Sequence, residues 1–228
     1  MSKNLYICHM SHSLSKENYL KAIFHAAQQI KGAVPTTAIA KKVGAKPSSV
    51  TDMFRKLSAE GLLDYQKYKG VSLTETGNKA ALQVIRKHRL WESFLVKHLH
   101  FNWDEVHQVA EQLEHIQSDK LTNELDRFLD FPARDPHGDP IPNRAGYMKI
   151  SNKMLLVDLD VDQPGVCVGV KDNSSEFLQY LNKRNIGLGT RLTVLHHEHF
   201  DGSLHLQTDT STLMISSKIA QNIYVNII

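Results

Sequence analysis

Residues 35–73 read PTTAIAKKVGAKPSSVTDMFRKLSAEGLLDYQKYKGVSL, and this stretch decides the fold of the N-terminal part. Pro35-Thr36-Thr37 opens a short helix over Ala38 to Val43, and Gly44-Ala45-Lys46 is a turn. Pro47-Ser48-Ser49 opens a second helix with Val50, Met53, Phe54 and Leu57 inward, and Gly61 stops it. Leu62-Leu63-Asp64-Tyr65 and Gly70-Val71-Ser72-Leu73 read as short strands around a basic, aromatic tip, Gln66-Lys67-Tyr68-Lys69. Two short helices about a tight turn, followed by a two-stranded wing, form a winged helix-turn-helix pattern. The second helix presents Ser48, Ser49, Thr51, Asp52, Arg55 and Lys56 outward. Its small hydroxyl start lets backbone N–H groups approach a phosphate, and Lys67 and Lys69 would neutralise phosphates beside the groove. The alternative is a winged helix used as a protein-contact scaffold. Residues 1–73 hold eleven Lys/Arg against four Asp/Glu, which favours a polyanion.

On the N-terminal side, Tyr19, Leu20, Ile23, Phe24 and Ala27 form the stripe of a helix opening at Ser15, with Ser13 or Ser15 as cap. Residues 1–13 read as an unanchored terminus. On the C-terminal side, Thr74-Glu75-Thr76 caps a long helix to about Leu99. Asn102-Trp103-Asp104 caps the next, to about Gln117, and Ser118-Asp119 a third, ending near Phe131. Trp91 and Phe94 exceed what a thin bundle hides, which suggests a second subunit. A connector rich in Pro and Gly follows. Then come β-rich runs at Leu155–Leu159, Val166–Val170, Arg191–His196, Ser203–Gln207, Leu213–Ile215 and Ile223–Ile228, with a short helix from Glu176 to Lys183. The fold class is thus mainly α over the N-terminal two-thirds, with a small all-β barrel at the C-terminus. The domains fall at 14–74 (winged helix), 75–135 (helical), 136–152 (linker) and 153–228 (barrel).

The 228 residues are 41% hydrophobic and 22% charged, as in an ordinary soluble globular protein. No apolar run approaches the ~18 residues that cross a bilayer, and the start lacks the basic and apolar segments of a secretory signal. Cys8 and Cys167 are too few for a disulfide framework or a thiolate zinc site. A cytoplasmic protein without membrane contact is expected. Residues 104–139 reverse the charge, with three Lys/Arg against ten Asp/Glu, and suit cations.

That acidic stretch overlaps the metal-capable residues. His88 and Glu92 are four apart, hence neighbours on a helix. His107, Glu111, Glu114 and His115 fall at i, i+4, i+7 and i+8. Imidazole and carboxylate without thiolate favour Mn(II) or Fe(II) over structural zinc. A solvated acidic helix with incidental histidines is the alternative, and two such faces on successive helices weigh against it. The Glu-x-x-His spacing of di-metal carboxylate catalysts is absent, as are phosphate loops and nucleophile motifs, so no enzyme is expected. His196, His197, His199 and His205 read as an exposed polar rim.

Five motifs then occur in one order: Tyr19-Leu20-Lys21-Ala22-Ile23; Pro47-Ser48-Ser49-Val50-Thr51; Arg86-Lys87-His88-Arg89-Leu90 with Glu92; Val106-His107 through Glu114-His115; and Pro136-His137-Gly138-Asp139-Pro140-Ile141-Pro142. With them the chain, over about residues 14–228, resembles the diphtheria-toxin-repressor family of metal-dependent transcriptional regulators. The resemblance implies a homodimeric repressor of metal-uptake genes on a double-stranded DNA operator, with a Src-homology-like barrel. It implies one metal site of His88, Glu92 and His107, completed from the barrel by Asp172 or Glu176. A second site would comprise Glu111, Glu114 and His115, completed near the start of the first helix by Asn18. Glu111 stands where iron-responsive members place cysteine. This points to the manganese-responsive branch and Mn(II), with Fe(II) as the alternative metal. That branch usually has an acidic residue at Asn18; Glu17 is a substitute for it, although its side chain would point about 100° away around the helix. A di-metal-binding module that does not bind DNA is the competing class.

Overall fold

The computed structural model describes residues 2–148 and 153–228, with side chains from Ser15 onward. Helix α1 spans Ser2–Ala27. The sequence expectation of a start at Ser15 is corrected: no glycine or proline interrupts residues 2–27, so the helix runs through. The chain divides into two compact units. One comprises the residues up to His88 together with Leu113–Ser118 and Pro142–Tyr147. The other comprises Arg89–Gln112, Asp119–Ile141 and Met148–Ile228.

The first unit contains the winged helix. After α1 come α2 (Thr36–Val43), α3 (Pro47–Ala59), β1 (Leu63–Gln66) and β2 (Gly70–Leu73). Gly44 ends α2 in the left-handed region (φ 66°), where its N–H donates to the Ala40 carbonyl. Strands β1 and β2 pair antiparallel with Leu63 opposite Leu73, and Val34 and Val71 exchange backbone bonds of 2.8 and 2.9 Å. That close approach requires Gly70, where a Cβ would stand 2.6 Å from the Val34 carbonyl oxygen at φ +107°. Ile23, Ile39, Val50, Phe54, Leu57 and Val71 form a fully buried core with α3.

Helix α4 (Glu75–Leu99) begins in this unit, and its residues from Arg89 belong to the second. There α5 (Val106–Leu113) and α6 (Asp119–Phe128) follow. Glu105 accepts the Asn102 N–H at 2.8 Å in the turn that leads into α5. The helix ends at Leu113 instead of about Gln117, where Ile116 N–H donates to the Leu113 carbonyl and the chain turns. Glu114 and His115 therefore lie beyond the helix that carries His107 and Glu111. Leu90, Leu125, Leu129 and Ile141 form a small core flanked by Trp91 and Phe94. Phe128, its ring 6.0 Å from Phe94, remains 61% exposed.

The barrel contains β3 (Met154–Leu155), β4 (Pro164–Val170), α7 (Ser175–Asn182), β5 (Arg191–His197), β6 (Leu204–Thr208), β7 (Thr212–Ile215), α8 (Ser217–Ala220) and β8 (Ile223–Ile227). Its antiparallel ladder runs β3-β8-β4-β5-β6-β7. The strand expected over Leu155–Leu159 is only two residues long. Leu156 and Leu159 both point inward three residues apart, so a single 3₁₀ turn replaces the alternating pattern. The connector lies against β4, with Val170 N–H donating to the His137 carbonyl at 3.0 Å.

Candidate metal centre

Two groups of carboxylates and imidazoles stand out, one in each unit. In the first unit Glu114, wholly buried, receives the Lys21 ammonium at 2.7 Å on both oxygens. His88 Nδ1 lies 2.6 Å from its Oε2, and His115 Nε2 3.7 Å from its Oε1. His115 Nδ1 in turn meets Glu17 Oε2 at 2.6 Å. Glu17 also accepts from Gln117 (2.8 Å) and pairs with Lys87 (3.0 Å). Burial alone would raise the Glu17 carboxyl, but His115, Gln117 and Lys87 together hold it below its ordinary value. Asn18, the residue expected to complete this group, is exposed, and it is Glu17 of the same helix that reaches His115. The phase of α1 against the turn after α5 decides this, and no local pattern encodes it.

In the second unit His107 stands between two carboxylates. Its Nδ1 is 3.3 Å from Glu92 Oε1, and its Nε2 is 3.5 Å from Glu111 Oε1 one helical turn on. Glu92 is buried, and its other oxygen lies 3.6 Å from His137 Nδ1. His137 donates from Nε2 to the Trp103 carbonyl at 2.7 Å. Asp135 accepts the N–H groups of His137 (2.8 Å) and Asp139 (2.9 Å) and faces the Arg89 Nε at 3.4 Å. Burial, with Glu92 and Asp139 nearby, pushes Asp135 up to about 7. Burial opposes the charge on His137, but Glu92, Asp135 and the Trp103 carbonyl outweigh it and raise the imidazole to about 9. Asp172 and Glu176, expected to complete the group, are exposed at the start of α7, where Asp172 Oδ1 accepts the Ser174 N–H. Asp135 and His137 neighbour Glu92 in their place. The sequence signal was the Pro136-His137-Gly138 triplet: Gly138 sits at φ +84°, where a Cβ would be 2.0 Å from the Val168 oxygen.

On the winged helix, Ser48, Ser49, Asp52, Arg55 and Lys56 are exposed along α3, and Thr51 is half-buried with its hydroxyl donating to the Pro47 carbonyl. Arg55 pairs with Asp52 at 3.2 Å. Lys46 at the N-cap supplies no side-chain hydrogen bond, which suits an α3 N-terminus turned to phosphate. Lys67 and Lys69 flank Tyr68 at the wing tip, all exposed. On the barrel, His196, His199 and His205 are exposed, whereas His197 Nε2 lies 3.1 Å from the Leu159 carbonyl. Among the described residues no helix is long and apolar enough to cross a membrane.

Three family models match in chain order. They are the iron dependent repressor N-terminal DNA binding domain over residues 12–71, the iron dependent repressor metal binding and dimerisation domain over 74–143, and the FeoA domain over 154–227. A solved structure described as a manganese-dependent transcriptional repressor complex with manganese aligns over 93% of this chain and 100% of its own, with TM-score 0.83 and 36% identity. The iron-dependent repressor IdeR of Mycobacterium tuberculosis is 34% identical over 127 residues, 55% of this chain and 54% of that protein. A probable metal transport system membrane protein of Chlamydia trachomatis is 43% identical over 89 residues, 39% of this chain and 20% of that protein. The chain thus spans about half of the first of these two proteins and a fifth of the second. The three family models follow one another along the chain, the manganese-dependent repressor structure aligns over its whole length, and the chain belongs to the iron-dependent (diphtheria-toxin) repressor family of metal-dependent transcriptional regulators.

Proposed function

We propose that the chain is a Mn(II)-dependent DNA-binding repressor of metal-uptake genes, acting as a cytoplasmic homodimer on a palindromic double-stranded operator. The observation that carries this reading is the bond between Glu17 and His115. Glu17 lies on α1, whose buried face (Leu20, Ile23) is part of the winged-helix core. His115 lies in the turn that closes the metal motif. A cation held by both residues would therefore tie α1 of the DNA-binding core to the turn after α5.

The donor chemistry fits a divalent first-row cation. The side chains are carboxylates and imidazoles without thiolate, which suits Mn(II) before zinc. Ammonium groups of Lys21 and Lys87 lie against the very oxygens a cation would take. Glu17, His88, Glu114 and His115 would hold one ion, and Glu92, His107 and Glu111 the other. A bound cation supplies a compact double positive charge. Lys21 must then release Glu114, and the metal favours DNA binding only insofar as it binds the DNA-competent arrangement more tightly. Ser48, Ser49, Thr51, Asp52, Arg55 and Lys56 would enter the major groove, with Lys67 and Lys69 on phosphate.

The test starts from duplexes enriched out of a random-sequence pool with Mn(II). Binding of the enriched duplex is then measured with Mn(II) and with chelator, for the wild type and for Glu111→Ala/Glu114→Ala. Only the wild type with Mn(II) should bind tightly. Equal, salt-sensitive binding in all four cases would sink the reading. Replacing Mn(II) by Fe(II) or Zn(II) in the same titration ranks the metals, and Arg55→Ala/Lys56→Ala should weaken binding under every condition.

A further inference from the structure

Glu92 is 2% exposed and divides its two oxygens between two imidazoles, His107 at 3.3 Å and His137 at 3.6 Å. The two differ in freedom. The His107 side chain is 45% exposed, whereas His137 is 3% exposed. The His137 Nε2 is engaged by the Trp103 carbonyl at 2.7 Å, and its ring lies within 10° of parallel to the Trp103 indole. Its backbone N–H donates to Asp135, and its carbonyl accepts from Val170 of β4. The next residue, Gly138, leaves no room for a Cβ against Val168. The ring is therefore fixed through side chain and backbone alike.

Glu92, Asp135 and His137 offer donor atoms within 4.8 Å of one another, which raises the question of an ion of their own. The commitments of the group answer it. Asp135 Oδ1 serves two backbone N–H groups and its Oδ2 faces the Arg89 guanidinium, so both oxygens of the third donor are committed. The group is built as a clamp on Glu92.

We propose that His137 is the positioning residue of the Glu92–His107 metal pair: it pins one carboxylate oxygen so that the other is presented beside His107, and it anchors that geometry on strand β4 of the barrel. This inference rests on the metal-binding reading above. Partners outside the ligand shell typically set metal affinity by ~10–100-fold, because a ligand held in place loses less freedom on binding.

The experiment uses the full chain stripped with chelator and titrated with Mn(II), with unbound Mn(II) followed by electron paramagnetic resonance and heats by calorimetry. His137→Phe keeps an aromatic ring beside Trp103 and removes both nitrogens. His137→Gln keeps one N–H donor. Glu17→Gln weakens the other donor group as a control. The wild type should show two classes of Mn(II) site. His137→Phe should weaken by ~10–100-fold the class that Glu17→Gln leaves intact, with His137→Gln in between. Circular dichroism and thermal melting of the metal-free variants show whether His137→Phe folds; if it does not, His137→Gln decides by the same split between classes. Folded variants with wild-type affinity at both classes overturn the inference, and so does an equal loss at both. A wild type that binds no Mn(II) overturns the metal-binding reading and this inference together. Wild-type binding that the His137 variants leave untouched overturns this inference alone.

Discussion

The two donor groups neutralise their carboxylates by opposite means. Around Glu17 and Glu114 the counter-charges are lysine ammoniums on flexible stems, Lys21 and Lys87. Around Glu92 one partner is fixed, the buried His137 imidazole held by a backbone carbonyl, with the more exposed His107 on the other oxygen. A tethered ammonium is a point charge that another cation can replace, whereas a clamped imidazole keeps its place whatever binds beside it. On the proposed function the contrast implies different roles. The Glu17–Glu114 group would be the responsive one, because it joins α1 to the turn after α5. The Glu92 group would be the rigid one, supported by the connector and the barrel.

The largest expected effect comes from Glu114→Ala. It removes the carboxylate on which Lys21 and His88 converge. Metal-dependent DNA binding should vanish, and the metal-free protein should lose ~3–5 kcal/mol in a denaturant titration, the usual result of breaking a buried pair from one side. An unchanged denaturation midpoint would mean that the Lys21 contact contributes nothing.

Next in size is the comparison of neighbours on α1. Glu17→Gln should weaken one class of Mn(II) site by ~10-fold or more, at least what loss of a partner outside the ligand shell costs, while Asn18→Ala should leave calorimetric binding unchanged. The reverse ranking would restore Asn18 as the ligand. Lys21→Met should act in the opposite direction, tightening Mn(II) binding while lowering the metal-free melting temperature. If both fall together, the lysine supports the site instead of competing for it.

These residues also mark where sequence reasoning reached its end. His88 and Glu92 were legible because both lie on one helix, α4, and their spacing alone makes them neighbours. The winged helix was legible because Gly44, Pro47 and Gly61 punctuate it. The choice between Asn18 and Glu17 as partner of His115 was not, since rotation of one helix against a distant turn is set by packing of Leu20 and Ile23. The end of α5 at Leu113 has no glycine or proline to announce it, so Glu114 and His115 read as a continuation of the helix. His137 lies in an aperiodic connector, and only its place before a glycine that must approach β4 closely hinted at its burial.

The smallest effect concerns pH in the metal-free protein with chelator present. His137, raised from 6.5 to about 9, keeps a proton when folded that it loses when unfolded. Its contribution is complete below pH 6.5 and disappears as pH rises through about 9. Asp135, raised from 3.8 to about 7, also binds its proton more tightly when folded, so stability falls as pH rises between those values. The melting temperature should therefore decline from about pH 5 to pH 9, and His137→Phe should flatten the upper part. A wild-type profile that rises with pH across that range would contradict the buried arrangement around Glu92.

The Glu17 tether is most directly tested by DNA affinity during a Mn(II) titration, at one salt concentration, for the wild type and Glu17→Gln. Wild-type affinity should rise with Mn(II) by ~5–150-fold, the usual range of coupling between two sites. Glu17→Gln should match it in chelator and stay flat as Mn(II) is added. A Glu17→Gln protein that responds as the wild type does, or a wild type that binds equally well in chelator, would contradict the role of α1 as the metal-held lever.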